Sequence, residues 1–241
     1  MQAVKWRCRL MGPVNEWHTI RKPIQLVVSD YDEQIRIDIA RSHSEDEWLD
    51  PHRETLCQIL NTFADTNVDF GYAQGLNYLI LPLYQVYYTA CPEWAVEDTF
   101  YSLQKLVGIL MPMYPLTPTD AAAYRYLMLI CAVVKLQTTK VHPTLRTLLF
   151  SPEYEPFVLS LVSNMVPTMF ANIFSVAETV VLWDLIFASH NSILQNVVDC
   201  MGRLVIAHHN AIRYLSFETC LTVVQQAAPY SLALICNGMA R

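Results

Sequence analysis

Two short stretches of this chain carry polar side chains, an arginine near a carboxylate and a glutamine near a tyrosine, whose types and spacing could do chemistry. Ile35-Arg36-Ile37-Asp38-Ile39-Ala40-Arg41 reads I-x-x-D-x-x-R, and Tyr72-Ala73-Gln74 reads Y-x-Q inside Gly71-Tyr72-Ala73-Gln74-Gly75-Leu76-Asn77-Tyr78. An arginine presents a planar fork of N–H donors that matches phosphate oxygens. A glutamine carboxamide accepts a hydrogen bond from water while donating another, which can hold an attacking water in place. Asp38 stands three residues before Arg41, a separation at which a carboxylate on a helical turn reaches a guanidinium. Neither motif is diagnostic alone, since a lone arginine is usually a solvated or ion-paired surface residue. The informative features are their order and the 33-position separation of Arg41 and Gln74.

Other chemistry is disfavoured. The six glycines form neither G-x-x-x-x-G-K-S/T nor G-x-G-x-x-G, so a nucleotide would have to arrive with a partner. His208 and His209 are adjacent and cannot share one ligand on a helix, and His142 precedes Pro143 in a turn; no metal site is expected. No nucleophile elbow or histidine–cysteine pairing is recognisable. The acidic run Asp30, Asp32, Glu33 reads as a solvated loop. Formal charge is −6, which argues against nucleic acid, because phosphate binding needs a concentrated basic face. Seven widely spaced cysteines without a C-x-x-C pair read as reduced core thiols of a cytosolic protein. No signal peptide is expected, since Lys5, Arg7 and Arg9 lead into Gly12-Pro13 rather than an apolar run. The apolar stretch Leu76–Cys91 is interrupted by Asn77, Pro82, Gln85 and Thr89, so a buried helix is expected rather than a bilayer span.

The elements that must position Arg41 and Gln74 are largely helical by pattern. The 241 residues, 53% of them hydrophobic, suffice for one large unit, expected to run over residues 1–241. Half of the 16 lysines and arginines lie in the first 53 residues, leaving the later chain to supply most of the core. Ile24–Val28 and Ile35–Ile39 alternate with period 2, which permits strands. Two isolated strands make a poor sheet, so a loop with a short helical turn around Asp38 is expected instead. Asp50 and Pro51 predict a helix start, with Leu56, Ile59, Leu60 and Phe63 on one face to about Thr66. Further helices are expected from Gln74 to before Pro92, from Pro92 to about Met111, and from Thr119 or Asp120 onward. Ser175-Val176-Ala177-Glu178 forms a capping box, Asn191 is a candidate cap for the next helix, and one or two short helices are expected from Ile212.

With those residues in view, the chain resembles the TBC domain, the all-helical family of GTPase-activating proteins for Rab GTPases. The string at residues 71–78 carries most of the resemblance, residues 35–41 support it, and it extends more diffusely from Trp6, Leu10 and Gly12 to Trp183-Asp184. It implies an all-α, multi-helical fold without a substantial sheet, V-shaped or two-lobed, with two catalytic residues lining one surface groove. Arg41 would be an arginine finger and Gln74 a glutamine finger, both acting on GTP held by the partner. Such an arginine is worth roughly 10³ to 10⁵ in rate, about 4 to 7 kcal/mol of barrier. Supporting roles fall to Asp38 beside Arg41 and to Asn77, either a cap or a core amide bracing the catalytic loop. Tyr72 either packs Gln74 in place or faces the GTPase, and Asp184 is either a structural anchor or a catalytic group.

The resemblance implies no cofactor of the chain's own, with GTP and magnesium on a GTP-bound Rab. It implies a cytoplasmic protein acting in membrane trafficking, without a transmembrane segment and at most peripheral on endomembranes. Several positions depart from the family pattern: Ser42, Ala73 and Leu76 replace a usual threonine, cysteine and methionine. Residues 151–182 lack a tryptophan common there, and Val181-Leu182 replaces a basic residue before Trp183. Two rivals remain at this stage. One is a TBC-like scaffold without catalysis, which has no chemical need for Arg41 and Gln74. The other is an unrelated helical interaction domain with accidental motif matches.

Overall fold

Apolar residues recur at intervals of three and four along most of the chain, and every regular element among the described residues is a helix. The computed structural model describes residues 1–13, 22–115 and 120–208, together with 222–223, 232–233 and 235–236. The short helices expected from Ile212 lie largely outside these residues. Two compact units are present: Met1–Ile109 with Ser175–Val180, and Leu110–Phe174 with Val181–Arg241.

In the first unit, α1 (Gln2–Met11) buries Trp6 completely. Arg7 on the same helix forms a buried ion pair with Asp98 and lies over the Tyr87 ring, 5.2 Å from its centroid. The expected short turn around Asp38 is instead a ten-residue helix, α2 (Asp32–Arg41). Its isoleucines explain the correction. A strand would turn Ile35, Ile37 and Ile39 to one face, whereas helical spacing buries Ile35 and Ile39 at i and i+4 and leaves Ile37 51% exposed. With the neighbouring core able to cover only one helical stripe, the three-residue alternation loses to the 3.6-residue period.

A 3₁₀ segment, Glu47–His52, precedes α3 (Arg53–Thr66). The expected start at Asp50–Pro51 is therefore displaced. Asp46 provides the cap by accepting from the Trp48 N–H at 3.1 Å, and Pro51 falls inside the 3₁₀ turn. The predicted face of α3 holds, with Leu56, Ile59, Leu60 and Phe63 all buried. Helix α4 (Leu76–Ala90) begins two residues later than predicted, because Gly75 has φ 113° and ends the helical conformation there. The 3₁₀ turn Pro92–Trp94 then leads into α5 (Ala95–Leu110).

The second unit centres on α6 (Ala121–Val141), which packs against α8 (Glu155–Met165) and α10 (Ile193–Ala207); α7 (Arg146–Leu149) is a single turn. Asp120 caps α6 by accepting from the N–H groups of Ala122 at 2.9 Å and Ala123 at 3.2 Å. Helix α9 (Val176–Ala188) has its first turn in the first unit and the remainder in the second, and it opens with the predicted capping box: the Ser175 N–H donates to Glu178 Oε2 at 3.0 Å and the Glu178 N–H donates to Ser175 Oγ at 3.3 Å. The cap of α10 is Ser192, which accepts from the Gln195 N–H at 3.1 Å, rather than the predicted Asn191.

Asp120→Ala leaves two N–H groups at the start of a 21-residue helix without their acceptor. Loss of such a cap costs about 1 kcal/mol. The expected result is a lower thermal midpoint by circular dichroism, with Asp120→Asn close to the parent because its side-chain oxygen still caps.

Candidate functional site

The carboxylate of Asp38 organises the C-terminal half of α2. It is completely buried, so its lone pairs need donors, since an ionised group out of water is costly unless paired. Three side chains supply them. Gln34, one turn earlier, donates its amide to Oδ1 at 3.0 Å; the Tyr72 hydroxyl donates to Oδ2 at 2.8 Å; and the Arg41 guanidinium forms an ion pair with Oδ1. Arg41 is 51% exposed, so its guanidinium is tethered at one edge while part of it faces solvent.

The end of α2 is held by a residue that the motifs do not include. Arg53, at the start of α3, donates from Nη1 to the Ile39 carbonyl at 2.6 Å and the Ser42 carbonyl at 3.2 Å. Its Nη2 donates to the carbonyl of His43 at 3.4 Å. A helix leaves its last carbonyls without partners, and a guanidinium is well suited to several of them at once. His43 takes φ 42° directly after Ser42, which ends the helix just beyond Arg41.

The second motif forms a loop between α3 and α4 with a glycine at each end. Gly71 has φ 63° and Gly75 φ 113°, the left-handed region that disfavours side-chain-bearing residues. A Cβ at Gly71 would also come within 2.7 Å of Cζ of Tyr31, so the exposed tyrosine ring would have to shift to admit it. Between the glycines, Tyr72 reaches Asp38, while Gln74 is exposed and has no side-chain hydrogen bond among the described residues. The buried Asn77 works on both sides. Its Oδ1 accepts from the Gly75 N–H at 2.8 Å, and its Nδ2 donates to Ser42 Oγ at 2.8 Å.

The two motifs are thus stapled on either side of both candidate fingers. Asp38 and Ser42 bracket Arg41; Tyr72 and Asn77 bracket Gln74; and each member of one pair is hydrogen-bonded to a member of the other. Of the alternatives for Tyr72, its hydroxyl serves the interior carboxylate. Asn77 is both a loop cap and a core amide. Asp184 belongs to the second unit, on α9 and partly exposed. Its neighbour Trp183 is buried, with Nε1 donating to the Met169 carbonyl at 3.0 Å. Sequence reasoning missed Arg53, Gln34 and the structural use of Ser42 and Tyr31. Only Gln34, one turn from Asp38, has a local spacing that could have signalled its role.

The Rab-GTPase-TBC domain model matches residues 14–203 of the chain. Among solved structures, the chain is similar to the Ypt/Rab-GAP domain of Gyp1p, with TM-score 0.66 and 15% identity, over 99% of this chain and 80% of that one. It is also similar to the Chlamydomonas flagellar RabGAP TBC domain, with TM-score 0.63 and 18% identity, over 100% of this chain and 76% of that one. At these identities the structural likeness establishes the fold. A search of curated proteins gives no match.

Burial, with the hydrogen bond to Asp38 and its charge adding to it, pushes the Tyr72 phenol above its ordinary value near 10.0. The folded state therefore favours the protonated phenol. That contribution is fully present below about pH 10 and is lost as pH rises through the folded value. Tyr72→Phe should destabilise the protein at pH 8 by about 2 kcal/mol, as for a hydrogen bond to a charged group. The difference between the two proteins should shrink from pH 10 to pH 11, measured by urea unfolding at each pH.

Proposed function

The chain belongs to the Rab-GTPase-TBC domain family, and we propose on that premise that it accelerates GTP hydrolysis by a Rab-type small GTPase, with Arg41 and Gln74 acting in trans. The observation that carries the proposal is the double staple between Asp38 and Tyr72 and between Ser42 and Asn77. It ties an exposed guanidinium and an exposed carboxamide to one rigid framework. A scaffold that only binds would need neither the exposed pair nor its buried support.

Each residue then has a physical task. During transfer of a phosphoryl group to water, negative charge builds on the transferred group and the leaving oxygen, and an inserted guanidinium stabilises it. Asp38 fixes the root of Arg41, so less rotamer freedom is lost when the GTPase docks. Gln74 accepts a hydrogen bond from the attacking water and donates toward the γ-phosphate. Its short loop, closed by Gly71 and Gly75, limits the directions that the carboxamide can take. The magnesium ion and nucleotide belong to the partner in its GTP-bound state. No helix among the described residues is long and apolar enough to cross a membrane; action in membrane trafficking, from the cytoplasm and at most peripherally on endomembranes, is part of the same proposal.

A hydrolysis screen across the Rab complement of the source organism tests this. At least one GTP-loaded Rab should respond, and the protein alone should hydrolyse no GTP. On the responsive Rab, Arg41→Ala should lower the saturating rate by roughly 10³-fold or more while association with the GTP-bound form persists. Arg41→Lys should also fail, because an ammonium cannot hold Asp38 and reach the phosphate with the same planar fork. Single-turnover assays then separate the fingers. Gln74→Ala should remove most of the stimulated rate, and replacing the Rab's own glutamine should spare much of it. The opposite ranking would leave Arg41 as the only finger supplied by this chain, and silence across the whole panel would favour the scaffold.

A further inference from the structure

Apart from Met1, the most exposed large apolar side chains among the described residues are Val68 and Val28, at 81% and 73%. Both line the same cleft, about 240 Å³ in volume, together with Asp30, Tyr31 and Asp65. The two valines share one recess, so a side chain seated in it would meet both. Asp30 and Asp65 are exposed at its rim, and neither has a side-chain partner among the described residues.

The walls are built in advance. Ser29 donates from its N–H and its hydroxyl to Asn61 Oδ1 at 2.9 and 2.7 Å, and the Val27 N–H donates to Thr62 Oγ1 at 3.1 Å. The segment carrying Val28 is thereby tied to α3, just before the residues that carry Asp65 and Val68. The cleft also shares a wall with the glutamine loop. Tyr31 fills the space that a side chain at Gly71 would need, and its ring meets that of Tyr72 with centroids 6.3 Å apart.

We propose that this cleft is a specificity subsite for the GTPase, taking an aliphatic or aromatic side chain that stands next to a lysine or arginine on the partner's surface. The inference rests on the activity proposed above. Two exposed carboxylates without side-chain partners among the described residues, beside two exposed valines, complement a basic patch that also carries an apolar side chain. They also repel a second copy of this chain, whose own net charge is −6 and which would bring the same acidic rim. Because the cleft adjoins the loop that carries Gln74, a side chain seated there would help select the GTPase without touching the reacting atoms.

The test uses the Rab most strongly stimulated by the wild-type protein, with hydrolysis followed against activator concentration at two salt concentrations. Asp30→Lys/Asp65→Lys should raise the half-saturating concentration about five- to tenfold at low salt, as expected when two exposed attractions become repulsions. The saturating rate should stay within about twofold, and the wild-type salt dependence should flatten or reverse. Val68→Ser should raise the half-saturating concentration without altering that salt dependence. Circular dichroism melting checks that each variant is folded. Unchanged half-saturation in both variants, with wild-type stimulation intact, overturns the subsite and leaves the activity standing. A fall in saturating rate alone also overturns it, by showing damage to the loop. Absence of stimulation by the wild-type protein on every Rab removes the activity and the subsite together.

Discussion

A fully buried carboxylate is the constraint on which the rest of the first unit depends. The buried oxygens of Asp38 need donors, and the donors come from three places: one turn back on its own helix, three residues forward, and the loop after α3. Meeting that demand places α2 at a defined depth, sets the root of Arg41 and draws in the Tyr72 segment. The pairing contributes more to uniqueness than to gross stability. A buried ionic group recovers its desolvation cost only when each partner is in place, so an alternative register of α2 or of the loop would leave the charge exposed to that cost.

The loop answers the same logic with backbone rather than charge. Gly71 and Gly75 adopt left-handed conformations, and Tyr31 closes the space beside Gly71. Asn77 then satisfies the Gly75 N–H and reaches Ser42 in a single buried side chain. Each of these contacts is short-ranged, yet together they fix the exit direction of an exposed glutamine. Rigidity is concentrated in the supporting residues, and exposure in the two side chains that would meet a partner. This is the arrangement expected of a preorganised site.

The second unit departs from the family pattern without losing its helical packing. No tryptophan occurs in residues 151–182. Around the end of α8 and the turn after it, Met165, Met169, Phe170 and Phe174 are fully buried. Met169 and Phe170 have φ 48° and 67°, uncommon values for such residues, and the Met169 carbonyl accepts the Trp183 indole N–H. A hydrogen bond and aromatic burial thus offset the local backbone cost. Of Val181-Leu182, which stand where a basic residue is usual before Trp183, Val181 is 52% exposed and Leu182 is fully buried.

What the sequence by itself determined was local: the helical class, the buried face of α3 and the capping box at Ser175–Glu178, with Arg41, Gln74, Asp38, Tyr72 and Asn77 singled out as candidates by resemblance. These depend on spacings of a few residues or on a recognisable string. The full length of α2 is not legible in the sequence, because three alternating isoleucines fit a strand as well as a helix until a core covers only one stripe. The cap at Asp46 and the cap at Ser192 were missed by a few residues because several polar side chains compete at each helix start and packing selects among them. Only the tertiary structure decided that Arg53 closes α2, that Tyr31 packs against Gly71, and that Val28 and Val68 share a recess. The staples joining the two motifs span 34 and 35 residues. No local periodicity encodes such pairs; they form when helix packing brings a buried donor and acceptor together and the loss of water leaves each with no other partner.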